Sequence, residues 1–169
     1  MAIRWMSFPQ FRAATPLALR VVDAFDSASA QFSAKDMNSN DVLECVRPAL
    51  EQAGFKVEVG KRKDDKISVP VLYGEGGSIK KSFDADAYHP EQRFVVEVEA
   101  GGGVTNYKVL KDLFQACMME DVDYLCIAVL NRYEASGRND FEHVVKFMET
   151  LYASQRLALP LRGVLVIGY

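Results

Sequence analysis

The stretch Ser82–Gly103, SFDADAYHPEQRFVVEVEAGGG, decides how this chain is read. It reads as two strands, Ser82–Tyr88 and Arg93–Ala100, joined through HPEQ. Strand side chains alternate between faces. In the first run Phe83, Ala85 and Ala87 point one way, and Asp84, Asp86 and Tyr88 the other. In the second, Phe94, Val96 and Val98 oppose Val95, Glu97 and Glu99. Pairing through the turn would gather four carboxylates on one face, with Arg93 as the only cation on the two strands. Like charges on adjacent strands repel. A divalent cation would offset them, and hard oxygen ligands at this density suit Mg²⁺ or Mn²⁺. One chemistry such a centre serves is phosphodiester hydrolysis. Solvated acids on the outer face of an exposed hairpin would write the same string.

Two more strands are expected upstream, Phe55–Val59 and Ile67–Leu72. The charged tip GKRKDDK joins them, and the turn GEGG leads onward. The four strands are expected to form an antiparallel meander, with Pro70 marking an edge. Before them, Leu17–Phe32 reads as a helix capped by Thr15, with Pro16 at its first position. A second helix, DVLECVRPALEQAG, is expected to be capped by Asn40 and closed by Gly54, with Pro48 kinking it or marking its start. An edge strand is expected at Ile3–Met6. After the glycines come a helix (Asn106–Glu120), a buried strand (Tyr124–Leu130), a helix (Asp140–Ser154) and a last buried strand (Gly163–Tyr169). The order implies a mixed α/β sheet covered by helices, in a single domain over 1–169.

Composition narrows the function. With 169 residues, 49% hydrophobic and 25% charged, the chain can bury a core and is not disordered. No apolar run is long enough for a membrane helix, and the N-terminus lacks a signal-peptide pattern. A net charge of −3 excludes a protein that coats nucleic acid by bulk charge. Cys45, Cys117 and Cys126 lack metal or disulfide spacing and read as reduced residues of a cytoplasmic protein. The glycines are followed by no GK[ST], so they are not a P-loop. His89 and His143 lack partners at metal spacing. Trp5 and the phenylalanines are expected in the core.

The acids belong to a wider order. Glu44 lies on the second helix, and Lys108, Lys111, Asp112 and Gln115 form a polar stripe on the helix after the glycines. The apolar face opposite would be Leu110, Leu113, Phe114, Cys117 and Met118. This order, helix, three-strand meander, helix, strand, resembles the PD-(D/E)xK nuclease superfamily, with its restriction-endonuclease-like mixed sheet flanked by helices. FDADAYHP resembles the element carrying the signature Asp, and VVEVEAG the (Asp/Glu)-x-Lys element. The resemblance covers about 40–130; the N-terminal helix and the C-terminal helix and strand lie outside it.

The resemblance implies a Mg²⁺- or Mn²⁺-dependent nuclease, with DNA as the expected substrate. Asp84, with Asp86 as substitute, and Glu97 would be metal ligands, Val98 would add its carbonyl, and Glu44 would complete the shell. Glu99 stands where the family usually has Lys. Some restriction enzymes of the superfamily carry Glu there, and it can ligate a second ion or act as a general base. Lys108 or Lys111 would restore the positive charge. Lys61, Arg62, Lys63, Lys80, Lys81 and Gln115 would contact phosphates. A solvated turn accounts equally for the basic cluster that also holds Lys66. Cutting duplex DNA would call for a homodimer. The alternative is an inactive nuclease-like scaffold that binds nucleic acid or protein.

Overall fold

The computed structural model describes residues 2–33, 37–60, 62–101, 107–132 and 137–169. The chain runs β1 (Arg4–Phe8), α1 (Pro16–Ala28), a 3₁₀ turn (Ser29–Ser33), α2 (Ser39–Gln52) and β2 (Lys56–Val57). It continues with β3 (Ile67–Tyr73), β4 (Ile79–Ala85), β5 (Ala87–His89) and β6 (Phe94–Glu99). Last come α3 (Lys108–Met118), β7 (Tyr124–Val129), α4 (Asp140–Ser154) and β8 (Gly163–Gly168). Six strands form a mixed sheet in the order β1-β8-β7-β6-β5-β2, and β3 with β4 forms a separate ribbon. β6, β7 and β8 are parallel, while the other pairings are antiparallel. The protein is thus of the α/β class, as its sequence pattern implied.

Apolar runs explain the sheet's centre. β7 (YLCIAV) and β8 (GVLVIG) are apolar on both faces, as covered parallel strands must be. One face packs on α1 and α2, where Phe25, Val46 and Leu50 meet Phe94, Val96 and Val98. The other packs on α3 and α4, where Leu113, Phe141 and Met148 meet Val95, Ile127 and Val166. β1 is an edge strand, paired only with β8.

Several expectations are corrected. β2 does not pair with β3. It pairs with β5, so the meander in space is β2-β5-β6, and the β3–β4 ribbon is inserted between its first two strands. GKRKDDK is therefore a connecting loop with a 3₁₀ turn at Lys63–Asp65, not a hairpin tip. α1 stops at Ala28, and Phe32 lies in the 3₁₀ turn beyond it. Asn38, not Asn40, caps α2 in a reciprocal capping box with Asp41. α2 begins at Ser39 and continues past Pro48, so Pro48 does not mark its start; the burial of Val42, Leu43, Val46 and Leu50 outweighs one lost backbone bond.

Trp5 is 41% exposed on the edge strand rather than in the core. His89 ends β5 and is buried edge-on against the Phe55 ring, a packing role. α3 is rolled relative to expectation: Val109, Asp112, Leu113 and Ala116 are buried, while Phe114 and Met118 are exposed. Of the polar stripe, Asp112 is thus buried, Lys108 and Gln115 are half-buried, and Lys111 is exposed.

Candidate metal centre

The regular alternation of the acidic strand breaks at Asp86, a bend between β4 and β5. Ala85 packs on the α3–α4 side and Ala87 on the α1–α2 side, so the two do not share a face. The bend has a local cause. The Asp86 carboxylate accepts the Val98 amide at 2.7 Å, standing in for a main-chain partner on the neighbouring strand. Asp84 falls on the other side of the bend, exposed in the ribbon opposite Ser68. Of the two candidate aspartates, the bend directs Asp86 to the sheet.

Register then aligns the acids. Val57 pairs with Ala87, and Ala87 with Val96, so the next rung holds Glu58, Asp86 and Glu97 on three neighbouring strands. The Glu58 amide donates to the Asp86 carbonyl at 2.8 Å, closing one side of that rung. Val57, Ala87, Val96 and Val98 all face α1 and α2, so the alternating acids face α3. Glu99 lies one step further along the same face, near the carboxyl ends of the parallel strands. That end is where ligands lie in open α/β sheets.

α3 supplies the counter-charges and one more acid. Lys108 Nζ lies 2.9 Å from Glu99 Oε2, and Lys111 Nζ 3.1 Å from Asp112 Oδ1. Asp112 is only 3% exposed, and its Oδ2 has no hydrogen-bond partner among the described residues. The Asp112 carboxyl also feels the charge of Glu99. Neighbouring carboxylates of like charge disfavour each other's charged form. Four acids (Asp86, Glu97, Glu99, Asp112) against two lysines leave two negative charges unmatched.

The acids respond to this crowding. Burial, reinforced by the charges of Glu58, Asp112 and Glu99 and opposed by the Val98 amide, pushes Asp86 up to about 6. Burial also raises Asp112 to about 6, with Lys111 opposing and Glu99 adding to the shift. Glu97 is held well above the usual carboxylate range, first by burial and then by Asp86 and Asp112. The charged forms of these groups are thus disfavoured without a further cation.

Other expected residues lie apart. Glu44 is exposed on α2, a helix that covers the opposite face of the sheet. Arg93 is drawn away from the acids to Asp121 and Asp123. The Val98 side chain faces the α1–α2 core. Arg62, Lys80 and Lys81 are exposed, Lys81 lying over the Phe83 ring, and Gln115 is partly buried on α3. Lys61, the Lys63 side chain, Gly102, Gly103 and Asn106 lie outside the described residues.

Sequence reasoning did not place Glu58 beside the other acids and read Asp112 as outward-facing. The alternation Phe55-x-Val57-x already placed Glu58 on the polar face of its strand. Tyr169 was missed as well: its hydroxyl donates to the Glu99 carbonyl at 3.1 Å and pins the end of β6.

Among the described residues, no group of three or more His, Cys, Asp or Glu side chains is placed to hold a metal ion. The acids form an open row. A cavity of about 90 Å³ lies away from the acids, between Phe8, Thr15, Phe94, Tyr124 and Arg162. No described helix is long and apolar enough to cross a membrane.

A scan against protein-family models finds no match, and neither does a search of the curated proteins. The fold defines an α/β protein with a mixed sheet between two helical layers, and the site stands on its own geometry.

Proposed function

We propose that the protein is a divalent-metal-dependent nuclease hydrolysing phosphodiester bonds, with DNA as substrate. The observation that carries this reading is the buried Asp112 Oδ2, which has no hydrogen-bond partner among the described residues, in a group of four acids faced by Lys108 and Lys111. The spatial meander β2-β5-β6, the helix α3 and the parallel strand β7 also follow the order expected of a PD-(D/E)xK nuclease.

Asp86, Glu97 and Asp112 would hold the ion. When bound, Mg²⁺ or Mn²⁺ acidifies water and offsets charge on the phosphate oxygens. Glu99 is the carboxylate available to take the proton of the attacking water as its oxygen bonds to phosphorus and the P–O bond to the leaving oxygen breaks. Lys108, beside Glu99, and Lys111, beside Asp112, would supply from α3 the positive charge that the motif draws from its Lys. They would steady the phosphate once the acids have turned to the ion. Exposed Arg62, Lys80 and Lys81 would meet flanking phosphates. Two copies would serve a double-strand cut. The three free cysteines suit a reduced, cytoplasmic setting.

Plasmid cleavage with Mg²⁺ or Mn²⁺ tests the reading. Wild type should cut and Glu97→Ala should not. No cleavage with either metal on several substrates would favour the rival reading, an inactive scaffold. That rival draws on Glu99 in place of Lys and on Phe114 and Met118, exposed on α3 beside the site.

A further inference from the structure

α3 differs from α1, α2 and α4 in what it shows to solvent. Those three turn charge outward: Arg20 and Asp23, Glu44 and Glu51, and Lys146 and Glu149 are all exposed. The exposed residues of α3 are Lys111, Phe114 and Met118, with Phe114 52% and Met118 50% accessible. The inner face of α3 is apolar too, with Val109, Leu113 and Ala116 buried against the sheet. A helix that is apolar on two faces belongs inside an assembly, because solvent on either side leaves hydrocarbon in water.

The outer stripe has a symmetry of its own. Leu110, Phe114 and Met118 recur every four residues and so lie along one face. The spacing is the same on either side of Phe114. Two such helices laid antiparallel bring Phe114 onto Phe114 and Leu110 onto Met118, the self-complementary contact that a two-fold dimer requires. The charges agree with that direction. Lys108 and Lys111 occupy the amino-terminal half of α3, and the exposed Glu120 and Asp121 follow its carboxyl end. Each lysine meets an acid of its own chain, yet the two side chains stay 41% and 60% accessible. Antiparallel packing sets the basic half of one helix beside the acidic end of the other. Parallel packing would set like charge on like, which costs affinity.

We propose that the outer face of α3 is a dimer interface whose partner is a second copy of this chain, packed antiparallel about a two-fold axis at Phe114. α3 has 11 residues and is about 16 Å long. Such a strip covers less than a standard interface buries, about 800 Å² a side. The dimer is therefore reversible and depends on concentration. It supplies the second copy that a double-strand cut calls for, but it rests on this surface and not on cleavage.

Sedimentation velocity of the full chain over a concentration series, without metal or DNA, tests this. The wild type should pass from monomer to dimer by about 100 µM. Phe114→Glu and Phe114→Lys, each checked for folding by circular dichroism, should stay monomeric, because each opposes like charges at the two-fold axis. Mixing the two should restore a dimer, at least about tenfold tighter than either variant with itself. Met118→Glu should also weaken the dimer, and it gives an independent reading if a Phe114 variant fails to fold. A wild type that stays monomeric throughout the series would overturn the proposal, as would a dimer that withstands Phe114→Glu or Met118→Glu. Monomeric Phe114 variants that do not pair on mixing would overturn the antiparallel arrangement.

Discussion

The two faces of β6 belong to one six-residue strand and live in different physical worlds. Phe94, Val96 and Val98 are buried in an apolar layer under α1 and α2. Val95, Glu97 and Glu99 face α3, where the side chains pass from apolar to acidic within two residues. The first face lowers the free energy of the fold by removing hydrocarbon from water. The second works against it, crowding carboxylates that neighbouring lysines only partly match. Stability and the candidate chemistry are thus carried by opposite faces of the same backbone.

Mutations should separate the two faces. The largest effect expected is on cleavage: Glu97→Gln should lose at least about 10²-fold in rate, as when a group stabilising transition-state charge is removed. At high pH the same change should raise the melting temperature of the metal-free protein, because it removes a carboxylate whose charged form burial, Asp86 and Asp112 oppose. A fall in that temperature would show that Glu97 is structurally matched after all.

Proton and metal should compete at this face. Asp86 and Asp112 titrate near 6 in the folded protein, above their usual value. Raised carboxyls favour the fold below their unfolded pKa and lose that contribution as pH rises through the folded value. Metal-free stability should therefore decline between about pH 4 and 6 through these groups. Mn²⁺ should raise the melting temperature far more at about pH 7.5 than at about pH 5, where protons occupy the acids. Equal shifts at both pH values would remove these aspartates from the ion site.

The apolar face should give the converse result. Leu50→Ala should cost about 2–5 kcal/mol in denaturant unfolding and leave Mn²⁺ affinity unchanged. Loss of ion binding there would mean that the two faces are mechanically coupled. The smallest effect is expected far from both. Arg4→Ala, which breaks an exposed pair with Glu142, should change stability by less than about 1 kcal/mol and cleavage not at all.

The α/β class was legible because it rests on local pattern. The apolar runs of β7 and β8, the 3.6-residue spacing of α1, α2 and α4, and the period-two alternation of β6 can be read without knowing what touches what. Glu97 and Glu99 were legible for the same reason, since a regular strand assigns its own faces. What failed was what depends on distant partners. The pairing of β2 with β5 rather than β3 is a choice between strands that look alike in sequence. The bend that separates Asp84 from Asp86 exists because one carboxylate replaces a main-chain partner on another strand. The inward roll of α3, and with it the burial of Asp112, follows from the packing of Val109, Leu113 and Ala116 on a sheet face that exists only once the strands have paired. Periodicity is a property of neighbouring residues, so the chain carries it openly; pairing and charge balance are set by distances through space, and these exist only once the layers have closed.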